Sequence, residues 1–93
     1  MPRVCKIRED GDQRIRMSTY RPGGQLVRDT HNISFSHRSV LRRGIYHHLN
    51  TMVYGHLFLI ETHSLTRDTI DSIRELIADD SPDHIIEEYD HVE

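Results

Sequence analysis

The sequence predicts an α+β domain, a small antiparallel sheet packed with two to three helices in the order β-β-β-α-β-α-(α). Three observations carry this. Short alternating runs with glycine turns fill the first third, two amphipathic helical patterns follow, and one unbroken apolar run, Leu57-Phe58-Leu59-Ile60, lies between them.

From Val4 to Arg8 the residues alternate, with Cys5 and Ile7 on one side and Lys6 and Arg8 on the other. Asp10-Gly11 is a hairpin signal, because glycine readily takes the positive φ of such turns. Arg14-Ile15-Arg16-Met17 alternates again, and Arg21-Pro22-Gly23-Gly24 turns the chain into a third short strand over Gln25 to Arg28. A helix follows, with Ser36 as its expected N-cap and Phe35 and Val40 at hydrophobic-staple spacing. Val40, Leu41, Ile45, His48, Leu49 and Met52 share its inner side at 100° per residue. Gly44 in that pattern marks either a close backbone approach or a break.

Tyr54-Gly55-His56 leads into the apolar run, which reads as a strand buried on both faces and central in the sheet. Thr66 caps the next helix, whose inner face is Ile70, Ile73, Leu76 and Ile77, with Asp68 and Asp71 in its first turns. Ser81-Pro82 is expected to open a last helix over residues 81–93, striped by Ile85, Ile86, Tyr89 and Val92.

The charges are sorted by position. Residues 1–48 hold ten cations against four carboxylates, and residues 49–93 hold two against eleven. The net charge of −3 conceals this division. A basic half of this kind points to a polyanionic partner, and an acidic half to an interaction element. The 93 residues form one domain with a modest core. A single cysteine excludes an internal disulfide and suits a reducing compartment. No signal-like or membrane-spanning apolar run is present, so a cytoplasmic protein without membrane contact is expected.

Arginine outnumbers lysine eleven to one, and a guanidinium can grip phosphate bidentately or stack on a base. Arg38, Ser39, Arg42 and Arg43 with Tyr46 fall on the outer side of the first helix, and Arg14 and Arg16 with Arg21 and Arg28 would extend the footprint along the hairpin. The expected function is a small nucleic-acid-binding module or regulator, of phage or mobile-element type. The alternative is an inhibitor or adaptor of a host protein, acting through Ile85, Ile86, Glu87, Glu88 and Tyr89 in the acidic segment. A second copy of the chain is a further candidate partner.

Residues 20–61 resemble the modular DNA-binding segments of phage and organellar homing endonucleases. The matching stretches are Tyr20-Arg21-Pro22-Gly23-Gly24-Gln25-Leu26-Val27, Ser36-His37-Arg38-Ser39-Val40-Leu41-Arg42-Arg43 and Tyr54-Gly55-His56-Leu57-Phe58. The resemblance covers under half of the chain and implies DNA contact at Arg38, Ser39, Arg42 and Arg43. It departs from the family where a scaffold helix belongs, since only Thr30-His31-Asn32-Ile33 is available there.

Eight histidines raise the question of a metal, with His47, His48, His56 and His63 around the apolar run. Neither a helical His pair of the zincin kind nor a Cys-x-x-Cys is present, and His48 falls on the apolar side as a core histidine would. Cys5 could pair with a histidine as a thiol nucleophile, but an inward cysteine on a strand is ordinarily core. There is no phosphate-binding glycine loop, nucleophile elbow or dinucleotide fingerprint. No catalytic residue, cofactor or metal is assigned, and the protein is not read as an enzyme.

Overall fold

The computed structural model describes residues 2–50 and 55–90. Met52, Tyr54 and Val92, to which the sequence assigns places in elements, lie outside the described residues. The elements are β1 (Arg3–Glu9), β2 (Arg14–Tyr20), β3 (Leu26–Ser34), α1 (Arg38–Leu49), β4 (His56–Glu61), α2 (Arg67–Asp80) and β5 (Ile85–Tyr89). The α+β class and the first six elements are as the sequence predicts.

Gly11, at φ +88°, turns β1 into β2, and Asp10 N donates to Arg14 O at 2.8 Å to close the hairpin. β3 extends the meander and is longer than expected, running through Thr30-His31-Asn32-Ile33. The polar run that hid this strand is absorbed locally. Asp29 is bonded by Arg16 and Ser18, while Asn32, at φ +58°, donates its backbone N–H to Asp10 Oδ2 at 2.9 Å beside a bulge.

The sheet is mixed rather than wholly antiparallel. Its order is β3-β2-β1-β4-β5, with β4 parallel to both β1 and β5. Parallel neighbours need crossover connections, which α1 and α2 supply. β1 holds the centre, and β4 is an interior strand beside it. His56, Phe58 and Ile60 are buried, but Leu57 and Leu59 on the other face are only half-buried.

Cys5, Ile7, Ile15, Met17 and Ile33 form the sheet side of one core with Phe58 and Ile60, closed by Leu41, Ile45, Leu49, Ile70, Ile73, Leu76 and Ile77 from the helices. Both helices therefore lie on one sheet face. No helix among the described residues is long and apolar enough to cross a membrane.

Two corrections concern helix ends. α1 is preceded by His37 as N-cap, without a side-chain cap bond. The expected cap, Ser36, instead meets Ser34, hydroxyl to hydroxyl at 2.9 Å, and its backbone N donates to Ser34 Oγ at 3.3 Å. A neighbouring serine has competed for the hydroxyl the helix would use. Thr66 does cap α2, accepting from Thr69 N at 3.3 Å. Thr66→Ala is expected to cost about 1 kcal/mol of unfolding free energy, measured by urea denaturation, and Thr66→Ser close to nothing.

The final element is a strand, not a helix. Five residues cannot separate a 3.6 period from a period of 2, and Ile85-Ile86 suits an edge strand. Ile86 packs on the core, and Glu88 receives Arg67 of α2 bidentately at 2.8 and 3.0 Å and Arg74 at 3.1 Å. Ile85, Glu87 and Tyr89 alternate to the opposite face.

Candidate nucleic-acid interface

α1 carries no carboxylate in its twelve residues. Its inner side buries Leu41, Ile45, His48 and Leu49, which fixes the outer side by helical geometry. Ser39, Arg42 and Arg43 are exposed there, together with His47 and Asn50, and Tyr46 is half-buried. These six side chains line an open cleft of about 490 Å³. Arg42 lies over the Tyr46 ring, its guanidinium carbon 5.1 Å from the centroid, so the pair presents a cation and a flat aromatic edge together. Arg43 and His47 also border a second cleft against Thr30 and Asn32 of β3. Arg43 forms no ion pair among the described residues.

Arg38 is partly committed, since its Nη2 lies 3.1 Å from Glu75 Oε2 of α2. Both side chains are at least half-exposed, so this pair is readily exchanged for another anion. Arg28 reaches α1 from β3, donating to His47 O at 2.8 Å near the helix C-terminus. The acidic residues Asp68, Asp71, Glu75, Asp79 and Asp80 are exposed on neighbouring α2. They repel a polyanion on that side and leave the α1 flank toward β3 as the favourable approach.

The hairpin arginines lie elsewhere. Ile15 and Met17 point into the core, so Arg14 and Arg16 alternate onto the sheet face away from α1. Arg16 is held bidentately by Asp29 at 2.9 and 2.7 Å. That guanidinium, with the Ser18 hydroxyl, keeps Asp29 well below the usual carboxylate range. Arg14 donates to Asp12 O at 3.1 Å. The six residues read as one footprint thus separate into four on α1 and two behind the sheet. His47 and Asn50 were missed, although Ser39, Arg43, Tyr46 and Asn50 recur at the three- and four-residue spacing of one helix face, while Arg28, which the sequence placed along the hairpin, reaches α1 instead.

His48 is a core residue with both ring nitrogens engaged. Nε2 meets Thr19 Oγ1 at 2.8 Å and Nδ1 meets Thr30 Oγ1 at 2.7 Å. A neutral imidazole has one donor and one acceptor, so one threonine accepts and the other donates. Burial, with Arg28 nearby, pushes His48 down to about 4. Cys5 Sγ lies 3.8 Å from Nε2, and burial pushes its thiol up to about 12. The two are a neutral packed pair sealed from solvent, not a thiolate and imidazolium. Among the described residues, no three His, Cys, Asp or Glu side chains converge as a metal site would require.

The acidic segment also divides. Ile86 and Glu88 are engaged inward, while Ile85, Glu87 and Tyr89 face outward from an edge strand. The amphipathic helix expected for groove docking does not form. Comparison of the chain with protein-family models, curated proteins and solved structures returned no match.

Proposed function

We propose that the protein binds nucleic acid through the outer face of α1, with Arg42 and Arg43 on phosphates and Ser39, Tyr46, His47 and Asn50 supplying further polar contacts. The observation that supports this most is a carboxylate-free helix with two exposed adjacent arginines beside an open cleft. Phosphate contact from guanidinium groups sets register and affinity, and hydroxyl and amide groups on the same face add hydrogen bonds. The homing-endonuclease resemblance assigns contact to the same helix residues. Arg38 joins them by exchanging Glu75 for phosphate.

The test is fluorescence anisotropy with duplex DNA, single-stranded DNA and RNA over a salt series. Binding should weaken steeply with salt, because each neutralised phosphate releases counterions. Reversing both charges, Arg42→Glu with Arg43→Glu, should lower affinity by roughly 100-fold and flatten the logarithmic salt slope by about 2. Arg14→Glu, on the other face, should leave binding unchanged. Absence of binding to all three nucleic acids at low salt, or indifference to the double reversal, would remove this reading.

A further inference from the structure

Both helices cover one face of the sheet, and among the described residues no helix covers the other. The strand register lines its side chains into rows. One row is apolar across all five strands: Leu26, Tyr20, Val4, Leu57 and Ile85 stand in successive pairs. Its two ends, Leu26 at 47% and Ile85 at 56%, are the large apolar side chains left exposed among the described residues. Single exposed leucines need no explanation, but a continuous apolar row with exposed ends marks a contact surface.

The next rows are charged, and the charge is divided by strand. Arg16 of β2 is neutralised by Asp29 of β3 on the same face, while Lys6 and Arg8 rise from β1, and Glu61 and Glu87 from β4 and β5. Between them lies a hollow of about 620 Å³, floored by Leu59 and walled by Arg8, Glu61 and Tyr89. Arg8 Nε is buried there without a hydrogen bond among the described residues. Tyr89 Oη reaches Glu61 Oε2 only at 3.4 Å, which leaves that carboxylate with capacity to spare.

We infer that this face binds a second copy of the chain, sheet against sheet, about a two-fold axis running along the strands between β1 and β4. A two-fold contact must be self-complementary, and this axis makes it so. It lays β2-β1-β4-β5 of one copy over β5-β4-β1-β2 of the other. Val4 then meets Leu57, Tyr20 meets Ile85, and Arg8 meets Glu61, each twice. The molecule measures 33 × 31 × 21 Å, and the sheet forms one broad face. Four strands about 4.8 Å apart over a shared length of about 17 Å give a footprint of roughly 330 Å², and side-chain relief brings the area buried to roughly 500 Å² of each copy, at the small end for a specific interface. A polyanion fits this face less well, since Glu61 and Glu87 offset the cations.

Sedimentation equilibrium of the full chain tests the assignment. The expected mass is twice 11.0 kDa. Arg8→Glu and Glu61→Arg should each raise the dimer dissociation constant at least about 100-fold, because each places two like-charge pairs across the axis. The double variant should restore the dimer. Circular dichroism melts of the single variants show whether they remain folded, and Arg42→Glu with Arg43→Glu, on the helix side, should leave the mass unchanged. A wild-type mass of 11.0 kDa at every concentration overturns the inference. So does a dimer indifferent to both single reversals, or a double variant no better than either.

Discussion

Acidification from pH 6.5 to pH 4 is expected to cost the fold about 3 kcal/mol through His48 alone. The side chain is fully buried, and its folded pKa of about 4 lies below the unfolded value near 6.5. Within that window the unfolded chain takes up the proton and the folded chain does not, so stability falls as the pH falls. The contribution is complete above pH 6.5 and gone below pH 4. Desolvation is the first cause, the Arg28 charge the second, with Asp29 opposing and His56 and His47 adding to the depression. Asp29 is lowered too, but its loss belongs to a more acidic window below the ordinary carboxylate value of 3.8. Urea denaturation at pH 7, 5.5 and 4 separates the two. His48→Gln keeps one donor and one acceptor for Thr19 and Thr30 but cannot titrate, so its loss over this range should be smaller by about 3 kcal/mol. Equal slopes in the two proteins would show that His48 is not the responsible group.

Gly44→Ala should destabilise the protein by about 1–3 kcal/mol, against the usual preference for alanine in a helix. An added Cβ would overlap Ile33 Cγ2, with Ile33 Cβ at 3.3 Å and Cγ1 at 3.4 Å. Ile33 is 5% exposed and belongs to the core, so it has little room to yield. In an Ile33→Ala background the Cγ2 overlap is gone and only the close Cβ contact at 3.3 Å remains, so Gly44→Ala should cost far less there. The coupling in that double-mutant cycle should exceed about 1 kcal/mol. A Gly44→Ala protein more stable than the parent would mean that α1 does not approach β3 this closely.

The parts of this fold that were legible in the sequence depend on neighbours close in the chain. Gly11, the alternation at Ile15 and Met17, the Thr66 cap and the inner face of α2 are all local signals. The parts that were not legible depend on distant groups. Nothing near Ile85 and Ile86 in the sequence reveals that β4 offers an edge and α2 offers Arg67 and Arg74 to Glu88. The same limit applies to the candidate site. The arginines of α1 could be placed by helical period, but Arg16 could not be known to be occupied until β3 brought Asp29 beside it. The charge division also proved partly internal: Arg38 and Glu75 join the basic and acidic halves across the two helices.

β1 and β4 are separated in the chain by three elements, yet residues 3–7 must find residues 56–60 to complete the sheet's centre. Until β4 is made, β1 can pair only with β2, and its other edge displays unused backbone groups beside Cys5 and Ile7. Closing a loop of about fifty residues precedes any reward from that pairing, so folding should be paced by the β1–β4 encounter and not by helix formation. A chain halted before β4 would keep the meander but lack the strand that protects it, and such an unprotected edge readily pairs with other chains.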